Sequence, residues 1–149
     1  MGRLLSLADW ELAAQLVSDG KQPDVVWQLL NHAQNLARTE PRFAVIEACT
    51  AVEVAVGRRV TDSLFGHPKE AQDQILTSAG GLVGLVRLHD TLFPRRKDQK
   101  WPDFSKPLAR LRNEVAHAGK KPSDIEVAVA LETARRMLDD VCPLPPPEA

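Results

Sequence analysis

The chain has 149 residues, 44% of them hydrophobic and 26% charged, with a formal charge of −1. That is enough apolar material for a single core, and the balanced charge excludes disorder, a uniformly basic nucleic-acid coat and an acidic tail. Its two cysteines lack the spacing of a disulfide framework or a structural zinc site, and no apolar run reaches the about 18 residues of a membrane span, so a protein of the reducing cytosol is expected. Ser6 and Asp9 supply an N-cap pattern for a first helix, Leu7 to Ser18, which Asp19-Gly20 ends; residues 1–22 read as a peripheral helix or linker. Asp24 caps a second helix, in which Val26, Leu29, Leu30, Ala33, Leu36 and Ala37 form one apolar stripe. Pro41 suits a first helical turn. From Arg42 to Val60 the sequence is apolar almost all round except for a strip of Glu47, Thr50, Glu53 and Gly57, which predicts the central helix of a bundle.

Gly66-His67-Pro68 turns into a short helix reaching Ser78, and Gly80-Gly81 into another from Leu82 to about Phe93. Three prolines and no apolar period predict an exposed loop from Pro94 to Pro107. Lys106 to Ala118 is helical again with Gly119 as its C-cap, and Ser123 with Glu126 forms a capping box for a last helix striped by Val127, Leu131, Ala134, Leu138 and Val141. Prolines from Pro143 onward end it, leaving a disordered tail over 142–149. With no strand-like alternation and no repeat, the expectation is an all-α, up-and-down bundle of four to six helices over residues 23–141.

One short constellation carries chemistry: Arg112-Asn113-Glu114-Val115-Ala116-His117, at the end of a helix. At about 100° per residue, Leu108, Leu111, Val115 and Ala118 share the core face and His117 points away from it. Arg112 and His117 lie about 140° apart round the helix, whereas Asn113 and His117 stack one turn apart and are within hydrogen-bonding reach. Metal-free RNA cleavage needs a base for the 2′-OH, an acid for the leaving 5′-oxygen and a cation over the phosphate. Histidine serves as base or acid near neutrality, and arginine offers a planar charged fork for phosphate oxygens. One motif has one histidine, so a two-fold dimer would supply the second.

An arginine, a polar residue, three further residues and a histidine make the signature of the HEPN superfamily. The chain resembles that family beyond the motif. Phe43-Ala44-Val45-Ile46-Glu47-Ala48 with Ala51-Val52-Glu53 is similar to its second helix, and Arg112 to Gly119 followed by Pro122-Ser123 and an alanine-rich helix is similar to its last two. The resemblance covers Pro23 to Val141. It implies a helical bundle, commonly dimeric, and a metal-independent endoribonuclease without cofactor, of the kind found as toxins of toxin-antitoxin pairs and as stress or phage-defence effectors. Arg112 and His117 would then be the catalytic pair, with Asn113 as the polar residue between them. The family also contains non-catalytic modules that dimerise or bind RNA, nucleotides or proteins within larger systems. A cognate antitoxin, for instance a nucleotidyltransferase, follows from the same analogy.

Local charge is consistent with a phosphate partner. Between Arg87 and Lys121 ten basic residues stand against four acidic ones. Arg95, Arg96, Lys97, Lys100, Trp101, Arg110 and Lys120 make a candidate rim for single-stranded RNA, and the same run also reads as a solubilising surface. Glu53 reads either as a buried partner for Arg112 or as part of a solvated strip. His89 falls in the stripe of Leu82, Leu85, Val86, Leu92 and Phe93 as a satisfied core residue, Cys49 as packed and inert, and Trp10 and Trp27 as packing anchors. No metal-ligand spacing and no glycine-rich phosphate loop occurs, because Gly80-Gly81 and Gly84 lack a preceding strand and a following Lys-Ser/Thr.

Overall fold

The computed structural model describes residues 18–20, 23–95, 101 and 103–144. In chain order they form α1 (Val25–Leu36), α2 (Pro41–Ser63), α3 (Lys69–Ala79), α4 (Leu82–Leu92), a π-helical segment π1 (Ser105–Arg110), α5 (Leu111–Ala118) and α6 (Asp124–Val141). No strand occurs among the described residues, and the chain is the all-α bundle that its periodicity predicts. Of the expected first helix only Ser18 is described, closing a helical turn before Asp19-Gly20; the rest of it, Trp10 included, lies outside the described residues.

The apolar circumference of α2 puts it in the centre. Ala44, Val45, Ala48, Cys49, Val52 and Val56 are all buried, and the helix packs against every other element. Its polar strip of Glu47, Thr50, Glu53 and Gly57 is half-buried, lying along the seams between neighbours. Pro41 opens the helix where a missing N–H has no partner to lose. Beside it, α1 buries Val26, Leu30 and Ala33, capped by Asp24, whose Oδ1 accepts from the Val26 amide at 3.0 Å and from Arg58 Nη1 at 2.9 Å. The side chain that starts α1 thus also holds it to α2.

On the other side, α6 begins with the expected capping box and buries Val127, Ala130, Ala134, Met137 and Leu138 against α2. The Trp27 indole donates to the carbonyl of Cys142 at 2.9 Å, which ties the start of α1 to the end of α6. Cys142 is half-buried as a result, so the tail expected to be disordered from residue 142 begins anchored. The short α3 buries no residue fully and leans on α4. That approach depends on Gly84: a Cβ there would lie 1.4 Å from the Ala79 carbonyl oxygen.

The segment expected as an exposed loop is different at both ends. Arg95, Trp101 and Phe104 are partly buried, with Trp101 and Phe104 packed on the core, and Pro107 sits inside π1. Asp103 starts that segment by accepting from the Ser105 amide at 3.1 Å and the Ser105 hydroxyl at 2.7 Å. The Ala109 amide then reaches back five residues to the Phe104 carbonyl at 3.2 Å, the wide turn of a π-helix. Pro107 falls in the first turn, where its lack of an N–H is tolerated. Leu108 is fully buried below it.

Candidate functional site

The motif helix α5 is short and positioned by its ends. At its start, π1 holds Leu108 and Leu111 in the core; one turn further, Val115 is buried. At its end, Gly119 adopts the left-handed conformation (φ 67°) that suits a glycine C-cap. The Arg42 guanidinium, from the first turn of α2, donates to the Gly119 carbonyl and pins that end. Ala118, expected on the core face, is exposed, because the helix stops there before a further turn can cover it.

Arg112 is half-buried, whereas Asn113 and His117 are exposed. The side chain of Asn113 turns toward Arg112, not His117: Arg112 Nη1 donates to Asn113 Oδ1 at 3.1 Å. The expected stacking of Asn113 on His117 therefore gives no hydrogen bond. The His117 imidazole has no hydrogen-bond or ion-pair partner among the described residues and faces solvent at the C-terminal end of α5.

Arg112 projects toward α2 and the turn before α4. It lines a cavity of about 220 Å³ together with Asn113, Cys49, Glu53, Gly80 and Gly81. Arg112 and Glu53 share this cavity without forming an ion pair, so the sequence-level alternatives of a buried partner and a solvated strip give way to a third arrangement. Burial pushes the Cys49 thiol up to about 12, with the Glu53 charge adding to the shift and Arg112 opposing it. Cys49 thus stays neutral and packed, as expected of it.

Of the expected RNA rim, Arg110 and Lys120 are engaged within the fold. Arg110 Nε meets Glu114 Oε1 at 2.9 Å, and Lys120 Nζ bridges Glu114 Oε2 at 2.9 Å and Glu126 Oε1 at 2.6 Å. Lys120 and then Ser123 hold the Glu126 carboxyl down at about 2. Glu114 is likewise lowered, by Lys120 first and Arg110 second. These groups line a wider cavity of about 550 Å³ whose rim carries the exposed Ile125 and Val129.

Arg95 and Trp101 lie in a separate cluster. The Arg95 guanidinium sits 3.5 Å above the Trp101 ring centroid and pairs with Asp90 and, at 3.6 Å, with Asp140. His89 stacks on the other side of Trp101 with centroids 4.9 Å apart, and Trp101 Nε1 donates to Asp140 Oδ2 at 2.7 Å. Both faces of the indole are covered inside the chain. Arg96, Lys97 and Lys100 lie outside the described residues.

His89 is the buried histidine its stripe predicts, 2% exposed, but it is only partly satisfied. Its Nδ1 lies 3.5 Å from Asp90 Oδ1, and its Nε2 has no hydrogen-bond partner among the described residues. Burial lowers its pKa, assisted by Arg95 and Arg59 and opposed by Asp90. Among the described residues no group of three or more His, Cys, Asp or Glu side chains is placed to hold a metal ion, and no helix is long and apolar enough to cross a membrane.

Sequence reasoning missed three contributors. Arg42 reaches Gly119 across 77 positions, Asp140 anchors Trp101 across 39, and Gly80-Gly81 meet Arg112 only through the packing of α4 on α2. None leaves a local pattern. Compared with protein-family models, curated proteins and solved structures, the chain matches none.

Proposed function

We propose that this chain is a HEPN-like, metal-independent endoribonuclease that acts on single-stranded RNA as a homodimer. The observation that carries the reading is the state of the motif. Among the cations of α5 and its flanks, Arg110 and Lys120 are each paired with carboxylates, while Arg112 has an uncharged neighbour and an adjoining cavity, and His117 has an unengaged ring. A guanidinium without a carboxylate partner keeps its N–H fork for phosphate oxygens.

In the reaction, one imidazole removes the 2′-OH proton and the 2′-oxygen attacks the adjacent phosphorus. The P–O5′ bond breaks, leaving a 2′,3′-cyclic phosphate, and an imidazolium returns a proton to the 5′-oxygen. Arg112 stabilises the extra negative charge of the pentacoordinate phosphate. His117 supplies one of the two proton-transfer groups, and His117 of a second protomer supplies the other. Solvent exposure of α5 at Asn113 and His117 leaves room for that second motif. A toxin or defence role, with an antitoxin as partner, rests on the family resemblance.

The test is incubation of end-labelled single-stranded RNA with wild type and His117→Ala in excess EDTA. Cleavage by wild type alone, with cyclic phosphate ends, is the expected outcome. Equal cleavage by both proteins would sink the assignment. A salt-sensitive gel shift in both without products would make the bundle a binding module.

A further inference from the structure

The cavity beside Arg112 contains an unexplained side chain. Glu53 lines it from α2, one helical turn beyond the buried Cys49, and its carboxylate makes no hydrogen bond or ion pair among the described residues. Across the same space stands Arg112, also without an ionic partner. Two opposite charges on rigid helices share one half-enclosed space without closing onto each other. That arrangement suits a ligand that donates to the carboxylate while presenting an anion to the guanidinium.

We propose that this cavity is a guanine-reading subsite, in which the Glu53 carboxylate accepts hydrogen bonds from N1–H and the 2-amino group of the base while Arg112 holds the phosphate. The inference rests on the nuclease reading for the role of Arg112. The choice of base follows from donor patterns. Guanine alone presents two adjacent donors on its Watson–Crick edge, matching both carboxylate oxygens. Adenine and cytosine offer an amino group beside a ring-nitrogen acceptor, and uracil offers N3–H between two carbonyls, so each would place an acceptor against the carboxylate.

Size and walls agree. At about 220 Å³ the space is below the about 300 Å³ at which pockets for drug-sized ligands begin, the scale of a single base whose phosphate meets Arg112 at the cavity wall. Gly80 and Gly81 form a wall without side chains, against which a flat ring can lie. With the Cys49 thiol neutral, Glu53 is the one carboxylate lining the cavity among the described residues. Unstacked bases of single-stranded RNA expose the edge that this reading requires.

The experiment measures binding of 3′-GMP, 3′-AMP, 3′-CMP and 3′-UMP to wild type and Glu53→Gln by calorimetry, with thermal melts of both proteins. Wild type should prefer 3′-GMP by about tenfold or more, and Glu53→Gln should lose that margin. Amide shifts of Gly80, Gly81 and Val83, which also lines the cavity, moving in wild type with 3′-GMP and not with 3′-AMP, give the same answer should the variant fold poorly. An RNA oligonucleotide with one 2′-deoxyguanosine, which resists cleavage, should bind more tightly than 3′-GMP; equal affinity would make the free nucleotide the ligand and overturn the RNA subsite. Indifference to the base, or a guanine margin that survives Glu53→Gln, overturns the inference even if the protein cleaves RNA. Guanine binding lost in Glu53→Gln, in a protein that cleaves nothing, overturns the nuclease reading and leaves the subsite standing.

Discussion

Two clusters in this bundle use similar residue types to opposite ends. Around Trp101, a guanidinium, an imidazole and two carboxylates are drawn together until the indole is covered on both faces and Asp140 holds its N–H. Around Arg112, a guanidinium from α5 and a carboxylate from α2 face one cavity with no ion pair between them, while the exposed imidazole of His117, on the same helix, does not line it. The first is a joint in the architecture, and its charges have done their binding within the chain. The second retains interaction capacity, and the proposed nuclease site is built on it. Net charge along the sequence does not separate the two, because Arg95 and Arg112 belong to the same basic run.

Mutation should sharpen the contrast. Arg112→Ala or His117→Ala should lower RNA cleavage by about a hundredfold or more, with thermal melts unchanged. A melt shifted as strongly as the rate would show that the motif is structural and erase the distinction. Trp101→Ala should do the reverse. It is expected to destabilise the fold by about 3 kcal/mol, the low end for loss of a large aromatic because Trp101 is half-buried, as read by urea unfolding.

Smaller effects separate the regions further. Ser123→Ala removes the cap of α6 and should reduce stability by about 1 kcal/mol in the same assay. Acid should act on His89 and on Glu126, the partner of Lys120, in different windows. The folded pKa of His89 is lowered, so its neutral form contributes stability that is present above the ordinary histidine value of 6.5 and is lost as pH falls through the lowered one. His89→Phe should flatten the decline in melting temperature on acidification below about pH 6.5. The contribution of Glu126, whose carboxyl is lowered to about 2 from 4.5, should survive that window and fade only between those two values. Identical acid profiles for wild type and His89→Phe would remove the buried histidine from this account.

Much of the fold was legible because its causes are local. The stripe of α1, the round apolar surface of α2, the capping box at Ser123 and Glu126 and the C-cap at Gly119 are each written in neighbouring residues. So was the outward direction of His117, which follows from helical geometry alone. The segment from Pro94 to Pro107 was not. Its prolines hide any period, and what draws Arg95 and Trp101 inward is Asp140, on a helix far along the chain. The cavity was illegible for the same reason, since Glu53, the Gly80-Gly81 turn and Arg112 converge only in three dimensions. The strip of Glu47, Thr50, Glu53 and Gly57 could be seen in the sequence, but that Glu53 faces Arg112 across a cavity without an ion pair could not.

The wide turn of π1 acts as a phase setting between the two clusters. Upstream of it Trp101 and Phe104 are fixed to the core, and downstream of it α5 presents Arg112 to its cavity. Loss or gain of one residue between Ser105 and Arg110 would turn the following helix by about 100° relative to that anchor. Arg112 would leave the cavity and a residue of the buried face would be carried toward solvent, with every residue of the motif still present. The length of this segment is therefore as much a part of the site as the motif itself, and a shortened homologue that keeps the arginine and histidine would have to restore the angle elsewhere.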